Sequence, residues 1–120
     1  MSYKITRASE ATTYEAPGHF DVRITRLHNP VDVNDGRLVM GLSHFLPGGG
    51  ASKNAIPVEF IYYIIEGEMT ITLADGSFVL KAGDSIHCGP MTEKEIKNTG
   101  IVSTKMLVIL LPPAQPVLIS

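Results

Sequence analysis

His44, Glu59, His87 and Cys88 carry the imidazole, carboxylate and thiol groups from which a metal site or a nucleophilic centre is built. Their spacing limits what they can do together. His87 and Cys88 are neighbours in a strand-like segment, so their side chains point to opposite faces and cannot both reach one centre without a bulge. A single cysteine excludes an intramolecular disulfide and any cysteine-based zinc cluster. Gly48-Gly49-Gly50-Ala51-Ser52-Lys53 has a superficial likeness to a phosphate loop, but the spacing is wrong and no helix pattern follows it.

These residues sit in a chain of 120 residues, enough for one domain and too few for two. Hydrophobic residues make up 44% and charged residues 18%, a balance that excludes a disordered chain. Ten basic against twelve acidic residues give a net charge of −2, which argues against a basic nucleic-acid-binding surface. Met1 to Arg7 leads into no apolar run, and the longest apolar stretches, Phe60 to Ile65 and Met106 to Leu111, are too short to span a bilayer as helices. The expectation is therefore a cytoplasmic protein with free Cys88, no membrane contact and no nucleic-acid partner.

The elements that must position the candidate groups are short strands between turn residues. Val22 to Leu27, Arg37 to Leu46, Phe60 to Ile65, Met69 to Leu73, Phe78 to Leu80, Ser85 to Cys88 and Met106 to Leu111 read as strands. Pro47-Gly48-Gly49-Gly50 is expected to stop the second of them, and Asn34-Asp35-Gly36 to turn the chain before it. Ala74-Asp75-Gly76-Ser77 predicts a hairpin, and Lys81-Ala82-Gly83-Asp84 another turn. Thr92-Glu93-Lys94-Glu95 fits a capping box that opens a helical turn, and Arg7 to Ala11 fits a further turn. Closely spaced strands with almost no helix predict an all-β barrel or sandwich.

Two stretches resemble the motifs of the cupin superfamily. Phe45-Leu46-Pro47-Gly48 and Ile61-Tyr62-Tyr63-Ile64-Ile65-Glu66-Gly67-Glu68 match the flanks of its first motif, and Gly83 and Asn98 open and close its second. The resemblance implies a single-domain cupin jelly-roll β-barrel with a site inside. Its core spans about residues 37–111, with an N-terminal arm over 1–20 and a C-terminal tail over 112–120. It also implies where the metal ligands of the family fall: on Asn54, Ile56, Phe60 and Lys94. Ile and Phe have no lone pair and a protonated Lys has none free, so the resemblance comes without the usual ligands. The expectation is no metal and no cofactor, with a rearranged set drawn from His44, Glu59, His87 and Cys88 as the competing possibility.

The family register together with strand parity turns Phe60, Tyr62 and Ile64 inward and Ile61, Tyr63 and Ile65 outward. It likewise turns Lys94, Ile96 and Asn98 inward, and by analogy Ser43, Phe45, Cys88, Met106 and Val108. The implied cavity is apolar with a few polar points, a suitable small-molecule site. Its expected ligand-binding residues are Ser43, Phe45, Asn54, Ile56, Phe60, Cys88, Met106 and Val108. Lys94, Glu59 and Tyr62 are the expected catalytic residues: Lys94 stabilises a developing anion while Glu59 or Tyr62 moves the proton. The bland alternative makes Thr92 to Lys97 a solvated rim segment and Glu59 a rim salt-bridge partner. The resulting expectation is a metal-independent isomerase or lyase acting on a small organic acid or carbonyl compound. Its rivals are a non-catalytic binding cupin and a metal-dependent cupin. A homodimer is expected, because Ile61, Tyr63 and Ile65 form an outward apolar row that the N-terminal segment to Ala16 and Val117-Leu118-Ile119 of a partner can cover.

Overall fold

The computed structural model describes residues 3–29 and 36–112. In chain order its strands are β1 (Thr12–Tyr14), β2 (His19–His28), β3 (Val39–Asn54), β4 (Glu59–Glu66), β5 (Glu68–Leu73), β6 (Gly76–Lys81), β7 (Ser85–Cys88), β8 (Lys94–Lys97) and β9 (Thr104–Leu111). Every strand pairing is antiparallel. The sheet runs β6-β5-β8-β3-β9-β4-β7, with β2 also on β3 and β1 on β2, and curls into a nearly closed jelly-roll barrel of the kind expected for this chain.

The sixteen-residue β3 joins the two halves of the barrel. Its first half lies between β2 and β9, and its second half meets β8. This corrects the expectation that Pro47-Gly48-Gly49-Gly50 ends the strand. The strand bends there and continues, with Gly48 at φ 86° and a register shift in the pairing with β2 between Phe20 and Val22. Cβ atoms at Gly49 and Gly50 would overlap the backbone carbonyls of Asp21 and Ile96, so the missing side chains let neighbouring strands cross at the corner. Asn98 pins this corner: its Nδ2 donates to the Phe45 carbonyl at 3.2 Å and to that of Val102 at 2.9 Å, while Gly48 N donates to the Asn98 carbonyl at 2.8 Å.

The capping-box expectation is also overturned. Lys94–Lys97 is strand β8, paired with both β3 and β5. Thr92 Oγ1 donates to the Gly89 carbonyl instead of capping a helix. Lys94 and Ile96 alternate inward between exposed Glu95 and Lys97, and two flanking ladders outweigh a weak local helix preference. The hairpin at Asp75-Gly76, the Lys81–Asp84 turn and the turn from Arg7 form as read from the sequence. Strand β1 was too short to show an alternation. Asn34, Asp35 and the tail segment Val117-Leu118-Ile119 lie outside the described residues.

The core lies inside the barrel, where Phe45, Phe60, Ile64, Met69, Ile71, Ile96 and Met106 are buried. On β4 the inward set is Phe60, Tyr62 and Ile64, while Tyr63 and Ile65 are exposed and Ile61 is partly covered. The expected parity therefore holds without a flip.

Candidate functional site

Lys94 leaves the inner face of β8 directly opposite Asn54 of β3. The pairing places its ammonium inside the barrel with only 5% of the residue exposed. Nζ donates to Asn54 Oδ1 at 3.0 Å and stands 4.7 Å from the centroid of the Phe60 ring. Burial pulls the Lys94 pKa below its ordinary value, and Cys88 opposes that shift. Burial also raises the Cys88 thiol, with Lys94 partly offsetting the rise, so the pair favours the neutral thiol.

Beside them Phe60 and Tyr62 pack with ring centroids 4.6 Å apart and planes tilted by 34°. Desolvation, with a smaller push from Cys88, raises the Tyr62 phenol well above its ordinary value. Tyr62 is thus a neutral hydrogen-bond donor and a poor candidate for a base.

The cavity in front of these groups has a volume of about 360 Å³. Of the residues expected at the site, Lys94, Tyr62, Asn54 and Ile56 line it. Ser43, Phe45, Met106 and Val108 supply further wall. Phe60 and Cys88 lie behind the wall as part of the core, which corrects their expected role as direct lining.

Glu59 is not in the cavity, and this corrects its expected partnership with Lys94. Phe60 faces inward, so its neighbour Glu59 faces outward, and no bulge interrupts the pairing of Phe60 with Cys88. The same parity sends His87 outward, where its Nε2 meets Glu59 Oε2 in a half-exposed hydrogen bond. His44 also leaves the outer face of its strand, paired with Arg23 and Lys105. Desolvation, then Lys105 and Arg23, lower its pKa against a smaller opposing effect of Glu66.

The rearranged metal site fails on the same geometry. His44 pairs with Lys105 and Glu59 with Leu111, at opposite ends of β9. Six residues of strand separate those ends by roughly 20 Å. Among the described residues no three His, Cys, Asp or Glu side chains converge. The usual ligand positions hold Asn54, Ile56, Phe60 and Lys94, and this donor set does not suit a transition metal.

The structure adds residues that the sequence reading missed. Tyr14, Ala16, Pro17 and His19, from the N-terminal arm and the start of β2, also line the cavity, together with Arg26. The Arg26 guanidinium lies 4.4 Å from the Tyr14 ring centroid, and its Nε is buried with no hydrogen-bond partner. The signal for Arg26 was present, since it shares a face with Ile24 by the alternation used elsewhere. Tyr14 and the arm had no such signal; they were reserved for a partner, whereas β1 pairs with β2 of the same chain. The described lining thus contains Lys94, Arg26 and His19 but no carboxylate.

Comparison with known proteins agrees with this architecture. Residues 41–110 match the family described as Cupin domain. The chain is 32% identical over 114 residues to a β-D-galactosidase of Mycobacterium tuberculosis, covering 95% of this chain and 96% of that protein. Among solved structures, a predicted oxalate decarboxylase of Thermotoga maritima superposes with a TM-score of 0.78 at 19% identity, over 92% of this chain and all of that one. The polyketide cyclase RemF of Streptomyces resistomycificus gives a TM-score of 0.77 at 20% identity, over 98% of this chain and 87% of that one. At these identities the two structures speak for the fold. With its antiparallel jelly-roll barrel, its two motifs and the family match across most of its length, this chain belongs to the cupin family.

Proposed function

We propose that this cupin binds a small, partly apolar organic acid or carbonyl compound and catalyses proton transfer on it without a metal, as an isomerase or lyase. The observation that carries the reading is a buried lysine facing an apolar cavity whose described lining has no carboxylate to neutralise it. A ligand carboxylate or enolate supplies the missing negative charge. Arg26 adds a second positive pole to the lining. With Glu59 outside, the proton-moving role falls to Lys94, whose burial lowers its pKa from the ordinary value, and Tyr62 serves as a neutral donor.

Ser43, Asn54 and Ile56 would orient the ligand against the wall formed by Phe45, Met106 and Val108, with Phe60 and Cys88 supporting it from behind. Titration calorimetry with small carboxylic acids and their neutral amides, alongside deuterium exchange at the carbon next to the carboxyl or carbonyl group, tests the reading. Acid-selective binding and exchange that both fall in Lys94→Met support it; equal binding of acid and amide refutes it.

A non-catalytic binding role is the second reading, favoured by the outward placement of Glu59, which leaves the described lining without a carboxylate base. The resemblance to a β-D-galactosidase suggests sugar substrates. Glycoside hydrolysis ordinarily uses two carboxyl groups flanking the bond, and the described lining supplies neither. As for assembly, a homodimer through the outer face of β4 is part of the proposal, since Tyr63 and Ile65 are 42% and 39% exposed. A cytoplasmic location, with no nucleic-acid or membrane partner, completes it. No helix among the described residues is long and apolar enough to cross a membrane.

A further inference from the structure

We infer that Lys94 is a carbonyl-capturing nucleophile, whose Nζ forms an imine with a small aldehyde or ketone admitted to the barrel. The inference rests on the proposed reading of this cavity and narrows its substrate class to carbonyl compounds.

The geometry distinguishes Lys94 from the other lysines. The chain has six, and the other five are exposed or only half-buried. Lys53 is paired with Glu93 at 3.2 Å and Lys105 with Glu66 at 3.7 Å, each with a carboxylate partner. Lys94 has a neutral partner in Asn54 Oδ1. An amide oxygen orients the amine without stabilising a full positive charge as a carboxylate does. The Phe60 face does favour the ammonium, by roughly 0.5–2 kcal/mol for such a contact. Desolvation, opposed by Cys88, leaves the pKa below its ordinary value. The anion nearest to opposing this is Cys88, and its own burial favours the uncharged thiol.

The cavity of about 360 Å³ is large enough for a compound of several carbon atoms, and its apolar walls limit the water that reverses imine formation. The step balances without any further reagent. The Nζ lone pair forms a bond to the carbonyl carbon while the carbonyl π pair moves to oxygen. The oxygen then departs as water with the two protons of the neutral amine, leaving a carbon–nitrogen double bond. Once protonated, that imine draws electrons from the neighbouring carbon–hydrogen bond. It thereby eases the proton transfer proposed above. Tyr62, held as a neutral phenol in the same cavity, is suited to hydrogen-bond the departing oxygen.

The test uses the intact wild-type protein near neutral pH, with pyruvate or butanal as probe and sodium cyanoborohydride to reduce any imine to a stable amine. Peptide mass mapping then locates the adduct. Lys94 should be modified about tenfold faster than exposed Lys53. In Lys94→Arg the fast adduct should disappear while slow labelling of surface lysines persists. Labelling of Lys94 no faster than Lys53 overturns the inference. If calorimetry in that case still shows acid binding dependent on Lys94, the broader reading survives. If such binding is absent too, both are overturned.

Discussion

Lys94 stands, buried and opposite Asn54, at a position where the family resemblance puts a metal ligand. A charge-assisted hydrogen bond is worth about 1.5–3 kcal/mol, so Lys94→Met should weaken binding of an acidic ligand about tenfold or more, read by calorimetry. The same substitution should affect stability in the opposite direction. A lysine whose pKa is lowered on folding binds protons more readily in the unfolded chain, so its burial costs stability below the folded pKa. The cost is relieved as pH rises from the folded value toward the ordinary 10.5. Without bound ligand, Lys94→Met should therefore melt higher than wild type near neutral pH, and the gap should narrow as pH approaches 10.5. A constant gap across that range would mean the charge is not what the fold pays for.

At the scale of elements, the bend of β3 decides whether Asn54 and Lys94 meet. Gly50 sits where β3 passes β8, and a Cβ there would collide with the Ile96 carbonyl oxygen. Gly50→Ala should cost about 3 kcal/mol in urea unfolding, since close-packed backbones have no flexible side chain to give way. Gly89, just after β7, has open space around its Cβ position and no positive φ. Gly89→Ala should change stability by less than about 0.5 kcal/mol in the same measurement. The contrast separates a glycine needed for strand crossing from one that merely occupies a loop. If both substitutions proved equally mild, the corner would be more plastic than its geometry implies.

For the whole molecule, the outer face of β4 bears on assembly. It presents Ile61, Tyr63 and Ile65 on one side of a strand flanked by β7 and β9. Light scattering on a sizing column at low micromolar concentration should give a mass near twice the chain mass of 13.0 kDa. Tyr63→Lys should shift it toward the single-chain value without loss of β-structure. A wild-type mass near 13.0 kDa would refute the dimer. At this scale the galactosidase resemblance is testable as well. A nitrophenyl β-D-galactoside should not be hydrolysed above background, because a barrel without facing carboxyl groups lacks the usual acid and nucleophile. Turnover abolished by Lys94→Met would instead require a glycosidase chemistry built on the lysine.

Much of this protein was determined by local sequence. The alternation through Phe60-Ile61-Tyr62-Tyr63-Ile64 set one face inward because strand side chains alternate, whatever lies across the sheet. The turns at Asp75-Gly76 and Lys81–Asp84 followed from residues that suit those backbone conformations. That the usual ligand positions hold Asn54, Ile56, Phe60 and Lys94 was likewise legible once the motifs were aligned. Tertiary structure decided the rest. Only the crossing of β2 and β8 over β3 shows why Gly49 and Gly50 bend a strand instead of ending it, since the constraint lies in the neighbouring backbones. Only two simultaneous ladders make Lys94–Lys97 a strand against its capping-box pattern. Glu59 was expected inside, and only the unbroken pairing of Glu59 with Leu111 and Phe60 with Leu110 shows that it alternates with inward Phe60. Tyr14 joined the cavity through the pairing of β1 with β2, a contact between segments whose spacing carries no local signal.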